Sequence, residues 1–256
     1  MTRNLKAIGM ALAAVLALGA FAASTALAEG TPEYFHAEKQ NVVVTGAEEN
    51  TQVLSIPTGS GPLTVECEHI SVEGTQSGKE HAAGNFESEF STVRPTYYNG
   101  TLAQHKEGAT AAKCNSFLGK NTVRVDTEAC HYKLYSTTDA NGHAKSDVIC
   151  AEGQSIKITG PAGCTITIKP QTGLTGVHYT NKEAGSSRDI TVESTVKNIH
   201  YAASFACLFA GIPSTGTDAS YTGNVTAKGF TDEDPTKATG EYVDGAQVGI
   251  WKGPTT

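Results

Sequence analysis

Residues 154–169 read Gln-Ser-Ile-Lys-Ile-Thr-Gly-Pro-Ala-Gly-Cys-Thr-Ile-Thr-Ile-Lys. On each side of the Gly160-Pro161-Ala162-Gly163 cluster, isoleucine alternates with a polar residue. Period-two alternation is the mark of a strand with one face inside, and a Gly/Pro cluster between two such runs is a hairpin loop. The stretch therefore predicts two antiparallel strands.

Working outward, the same reading repeats. Residues 41–45 (NVVVT), 122–125, 131–135, 176–180, 189–196, 199–203, 219–228 and 246–251 are short strand candidates, rich in the Val and Thr that suit a pleated, half-buried surface. In residues 63–72 (LTVECEHISV), Leu63, Val65 and Cys67 share one face while Ile70 and Val72 fall on the other, so a bend is expected near Glu68-His69. Asn141-Gly142 is a strong hairpin signal and Asn99-Gly100 a second turn. Residues 74–85, 104–113 and 230–243 read as polar loops, and the Ala-rich run 201–210 (YAASFACLFA) fits a short buried helix or a core strand equally well. Many short strands with turns about every ten residues predict an all-β fold, an antiparallel β-sandwich or barrel-like domain.

The first 28 residues do not belong to that pattern. Arg3 and Lys6 precede an apolar run over 7–23, and Ser24-Thr25-Ala26-Leu27-Ala28 closes it with small residues. That order is a secretory signal peptide, with cleavage expected after Ala28 and one domain over 29–256. The exported product is expected to be secreted or held at the cell surface, without stable membrane insertion. Cleavage removes two cations and no acid, so the acidic excess, 26 Asp+Glu against 19 Lys+Arg in the full chain, grows further. A negative surface argues against nucleic acid and against an anionic membrane as partners.

All six cysteines, Cys67, Cys114, Cys130, Cys150, Cys164 and Cys207, lie after the signal. An even number in an exported chain, with no Cys-x-x-Cys spacing, reads as three disulfides. Sequence does not choose among the fifteen pairings. Pairing along the chain gives Cys114–Cys130, Cys150–Cys164 and, by remainder, Cys67–Cys207.

The signal, the run Cys164-Thr165-Ile166-Thr167-Ile168-Lys169-Pro170-Gln171, the run Tyr221-Thr222-Gly223-Asn224-Val225-Thr226-Ala227-Lys228-Gly229 and the spaced cysteines resemble a large set of uncharacterised secreted proteins of high-GC soil actinobacteria. The resemblance implies export and an all-β fold. It implies no activity, substrate or cofactor.

No catalytic constellation stands out. There is no Gly-x-Ser-x-Gly elbow, no His-Glu-x-x-His and no phosphate-binding loop. The eight histidines share no ligand spacing, although His178 and His200 sit in strands where they could approach each other. Asp232-Glu233-Asp234 is the one dense acidic run and lacks the spaced ligands of a calcium loop. Tyr97-Tyr98 and Trp251 are candidates for stacking on sugars, although core or strand-pairing roles also account for them. No catalytic, metal or cofactor residue is assigned. The reading that follows is a non-enzymatic binding or structural module directed at an extracellular ligand or a cell-envelope component. A secreted hydrolase of carbohydrate is the alternative, and a secreted inhibitor or toxin-like effector the third.

Overall fold

The computed structural model describes residues 33–76, 78–81, 85–184, 187–231 and 247–254. The signal segment, the acidic run 232–234 and most of the loop expected over 230–243 lie outside the described residues.

Strand β1 (Glu33–Ala37) belongs to a small sheet treated below. From β2 onward the chain runs up and down as eight successive antiparallel ribbons. The first is β2 (Val42–Glu48) continued by β3 (Gln52–Ile56), and the second is β4 (Leu63–Cys67) continued by β5 (His69–Gln76). An excursion, β6 (Lys79–His81) and β7 (Asn85–Ser88), leads to the third ribbon. That ribbon is β8 (Phe90–Tyr98), then helix α1 (Leu102–Lys106), then β9 (Cys114–Ser116). The fourth joins β10 (Gly119–Asp126) to β11 (Cys130–Thr138), and the fifth joins β12 (Ala144–Cys150) to β13 (Ile156–Thr159). The sixth joins β14 (Thr165–Ile168) to β15 (Gln171–Ala184). The last two are the long strands β16 (Ser187–Ala203) and β17 (Thr215–Thr231).

Each ribbon pairs with the next along both of its halves: β2 with β5 and β3 with β4, β5 with β8 and β4 with β9, and so on to β16 with β17. The last ribbon then returns to the first, Val225–Thr231 against β2 and Ser220–Thr222 against β3. The sheet is therefore a closed eight-ribbon barrel. Closure satisfies the backbone donors that an open sheet would leave along its edges.

The alternation seen in the sequence is the inside–outside pattern of this barrel. Ile156, Ile158, Ile166 and Ile168 are buried inside, while Lys157 and Thr159 face out. Outward positions of the last two ribbons carry Glu193, Thr195, Lys197, Thr222 and Lys228. That exterior is not the apolar lipid-facing band of a membrane barrel.

Glu68 is the expected bend. It separates β4 from β5, and its N–H donates to Oδ1 of the buried Asn99, 2.7 Å away, fastening the second ribbon to the turn after β8. Both hairpin expectations hold: Asn141-Gly142 joins β11 to β12, and residues 160–163 join β13 to β14. Two loop expectations fail. Residues 74–85 include the end of β5, all of β6 and the start of β7, because backbone pairing there needs no apolar pattern. Residues 104–113 include part of α1, whose N-terminus carries a Thr101/Gln104 capping box, and the turn Thr110–Ala112.

One end of the barrel is covered by the four-stranded sheet β19-β1-β7-β6, in which β19 (Ile250–Pro254) follows the short β18 (Gln247–Val248). Asn181 ties this lid down by accepting from and donating to the Lys252 backbone at 2.8 Å each. At the opposite end, the run 201–210 is a strand only at its start, and the buried helix expected as the alternative is not formed: of the turn that follows, only Cys207 is buried. Tyr201–Ala203 completes β16, and Phe205–Ala210 is a 3-10 turn that ends at Gly211 in the left-handed region.

The six cysteines form three disulfides, but none of the expected pairs is made. The pairs are Cys67–Cys114, Cys130–Cys150 and Cys164–Cys207. Cross-strand register is the reason. Cys130 is the direct partner of Cys150 across β11–β12, and Cys67 lies one step beyond the Glu66–Asn115 pair of β4–β9. Their Cα atoms are 4.0 and 4.6 Å apart, whereas closeness in sequence brings no such approach.

Gly176 shows how tightly the ribbons wrap. Its φ is +108°, and a Cβ there would lie 2.2 Å from the Thr195 carbonyl oxygen on the neighbouring ribbon. Gly176→Ala is expected to cost about 2 kcal/mol from the left-handed backbone and the enforced shift together, read as a lowered urea midpoint. An unchanged midpoint would mean that the sixth and seventh ribbons are not packed this closely.

Candidate functional site

The barrel interior holds two apolar chambers. The one nearer the lid has a volume of about 90 Å³ and is walled by Phe35, Val44, Ile70, Val93, Ile190 and Ile250 among others. The second, of about 100 Å³, is walled by Leu54, Val65, Val125, Ile158, Ile168 and Ile199 among others. They share Tyr97, Tyr132, Leu134, Ser194 and Tyr221 as wall residues. Each volume is somewhat below that of an engineered apolar cavity that admits benzene, about 150 Å³.

The three shared tyrosines form a partition near the points where the ribbons are interrupted. Tyr97 and Tyr132 approach hydroxyl to hydroxyl at 3.4 Å, and the Tyr97 and Tyr221 rings meet edge to face at 6.0 Å. Tyr221 donates to Gln52 Oε1. Gln52 is itself buried and held by its Nε2, which donates to Asn50 O at 2.7 Å. Burial holds the Tyr97 and Tyr221 hydroxyls far above the ordinary tyrosine range. It raises Tyr132 as well, against the opposing hydrogen bond from Tyr97.

The lid-end chamber carries a second feature. Gln76, Ser91 and Tyr179 line it, all are at least nine-tenths buried, and Gln76 Nε2, Ser91 Oγ and Tyr179 Oη have no hydrogen-bond partner among the described residues. Burying a polar atom unpaired costs about 1–3 kcal/mol. Three such atoms around one apolar space form a wall able to orient a molecule that is mostly hydrocarbon and carries a polar group.

Outside the barrel, a cleft of about 390 Å³ lies between α1 and strands β5, β8 and β10, with Glu73, Arg94, His105, Arg124, Asp126 and Glu128 on its walls. It places acids on a concave surface, as a glycoside hydrolase needs. However, Glu73 stands opposite Arg94 and Asp126 opposite Lys157 in the strand register, the arrangement of charge-matched strands. Burial first, and then the Arg124 charge, lower the His105 pKa below the ordinary histidine value.

The sequence candidates end up in different places. Tyr97 is inside the barrel and not on its surface, because its period-two position on β8 faces the core. Tyr98 is half-buried outside, against the rings of His69 and His105. Trp251 lies in the lid, stacked on the fully buried His36 at 5.2 Å with the Arg188 guanidinium 4.8 Å from its centroid. His178 and His200 do not meet. His178 Nδ1 donates to the Gly142 carbonyl at 3.1 Å, and His200 pairs through its backbone with the Gln171 side chain. Among the described residues, no three His, Cys, Asp or Glu side chains gather as a metal site. Sequence reading missed Gln76, Ser91 and Tyr179. Only Tyr179 had a signal, its inward position in the 176–180 strand.

Comparison of the chain with protein-family models, with curated proteins and with solved structures returns no match.

Proposed function

We propose that this chain is an exported binding module whose barrel interior takes up a small apolar molecule, no larger than a short acyl chain, with a polar group read by Gln76, Ser91 and Tyr179. The observation that carries this reading is the set of three unpartnered polar atoms on the wall of an apolar chamber within a closed barrel. Barrels of this strand number hold one small ligand where side chains leave space. Export agrees with the leader and with three disulfides.

The probe is butanoic acid, a four-carbon acyl chain, followed by titration calorimetry. A saturable heat is expected on titration into the oxidised protein. Tyr179→Phe is expected to weaken that binding while leaving the melting temperature unchanged or slightly raised, because the lost hydroxyl makes no hydrogen bond among the described residues. Absence of any saturable heat would defeat the proposal. Turnover of a polysaccharide panel, abolished by Glu73→Gln, would replace it with the hydrolase reading.

A further inference from the structure

The end of the barrel opposite the lid is built differently from the rest of the surface. Six large apolar side chains are exposed among the described residues, and five of them are Phe117, Leu118, Phe205, Leu208 and Phe209. Phe117 and Leu118 form the β9–β10 turn, and a Cβ on Gly160, in the β13–β14 turn, would lie 3.9 Å from Leu118 Cδ1. On the other side of that turn, the 3-10 segment Phe205–Ala210 is bolted down. Cys207 is bonded to Cys164, and Ser204 Oγ accepts from Thr165 N at 3.0 Å and donates to Gly163 O at 3.1 Å. Cys207 and Ile212 face inward and are buried. Phe205 and Phe209 face outward, 75% and 86% exposed, with their rings edge to face at 5.7 Å.

Exposure of that degree means that the two rings protrude. A protein partner would need a matching pocket for each ring, whereas a bilayer accommodates protruding apolar side chains without one. The surrounding charge points the same way. Residues 51–65, 109–125, 153–171 and 199–217, which build this end, contain no Asp or Glu. Beside the tip, Lys113 and Arg124 line a recess of about 410 Å³ together with Gly160 and Pro161, and Lys120 is exposed on the same hairpin. Most of the acids that make the whole chain negative lie elsewhere; the nearest, Asp126 and Glu128, share the neighbouring cleft with Arg124. A 17-residue ribbon spans about 55 Å, several times the screening length of about 8 Å at physiological ionic strength. The net charge therefore does not govern what this end meets.

We propose that the end formed by residues 117–118, 160–163 and 204–212 docks on an anionic phospholipid bilayer. Phe205, Phe209 and their apolar neighbours enter the interface, and Lys113, Lys120 and Arg124 pair with headgroup phosphates. The contact is peripheral and does not depend on the chamber being occupied. The test is co-sedimentation of the oxidised protein, checked by mass to begin at Glu29, with phosphatidylglycerol-containing and pure phosphatidylcholine vesicles. Expected are preferential binding to the anionic vesicles, loss of that preference in the double variant Lys120→Glu/Arg124→Glu, weakening by salt, and about a tenfold or greater drop for Phe205→Ser/Phe209→Ser. Unchanged circular dichroism would show both variants folded. Failure to bind either vesicle, equal binding to both, or binding indifferent to the Phe205/Phe209 change would overturn the proposal. So would self-association that the phenylalanine variant abolishes in the absence of lipid binding, which would assign the tip to a second copy of the chain.

Discussion

Raising the pH is expected to unfold this protein cooperatively within about two units above pH 10. Tyr97, Tyr132, Tyr179 and Tyr221 line the chambers, and burial raises the pKa of each, well above the ordinary value for Tyr97, Tyr179 and Tyr221. In the unfolded chain the same hydroxyls titrate near 10. A folded pKa above the unfolded one means that full stability is present below pH 10 and is lost as the pH rises beyond it. Each retained proton contributes a slope of about 1.4 kcal/mol per pH unit, so Tyr97, Tyr179 and Tyr221 together give about 4 kcal/mol per unit, and Tyr132 acts in the same direction. A net stability of about 5–15 kcal/mol does not survive that slope for long. Tyrosinate absorbance should therefore appear together with the loss of the β circular dichroism signal. Tyrosines that all ionise near pH 10 with the sheet signal intact would show that these rings are not enclosed.

Replacing Cys67 and Cys114 together by serine is expected to cost about 4 kcal/mol. The bond closes a segment of 47 residues, and in the chain-entropy account a loop of that size limits the unfolded ensemble by about that amount. Cys130–Cys150, with a separation of 20, is expected to be worth about 3 kcal/mol. The ordering follows from loop length, so chemical denaturation of the two double-serine variants reads it directly. A loss below about 1 kcal/mol for Cys67/Cys114 would mean that register alone aligns β4 with β9 and that the link adds little.

The strands were legible where one face is isoleucine or valine and the other polar, as in 154–169. The side-chain period of two is local, and burial of one face fixes it. The bend at Glu68 was legible for the same reason, because Cys67 and Ile70 cannot share a face of an unbroken strand. The closing of the sheet was not legible. Nothing local in Val44 or Gly229 says that they are register partners, since a barrel and a sandwich make the same demand on each strand. The disulfide pairing failed for a related reason. Cys114 is nearer to Cys130 in sequence, but the ribbon running back beside it presents Cys67. The chamber polar groups were hidden because Gln76 and Ser91 look like ordinary loop or strand-end residues until the lid covers them. The tip was half visible. The apolar character of the run 201–210 is plain in the sequence and points to burial, and only the Cys164–Cys207 anchor shows why Cys207 turns in while Phe205 and Phe209 turn out.

The account rests on the last ribbon pairing with the first, which turns a meander into an enclosed apolar interior. Solution NMR of the oxidised protein tests this directly through cross-strand proton contacts between residues 42–56 and 215–231, such as Gly46 with Ala227 and Leu54 with Tyr221. The expected result is a continuous set of those contacts, with slowly exchanging amides on both ribbons. Rapid amide exchange along both, without any contact between them, would describe an open sheet and contradict the enclosed interior.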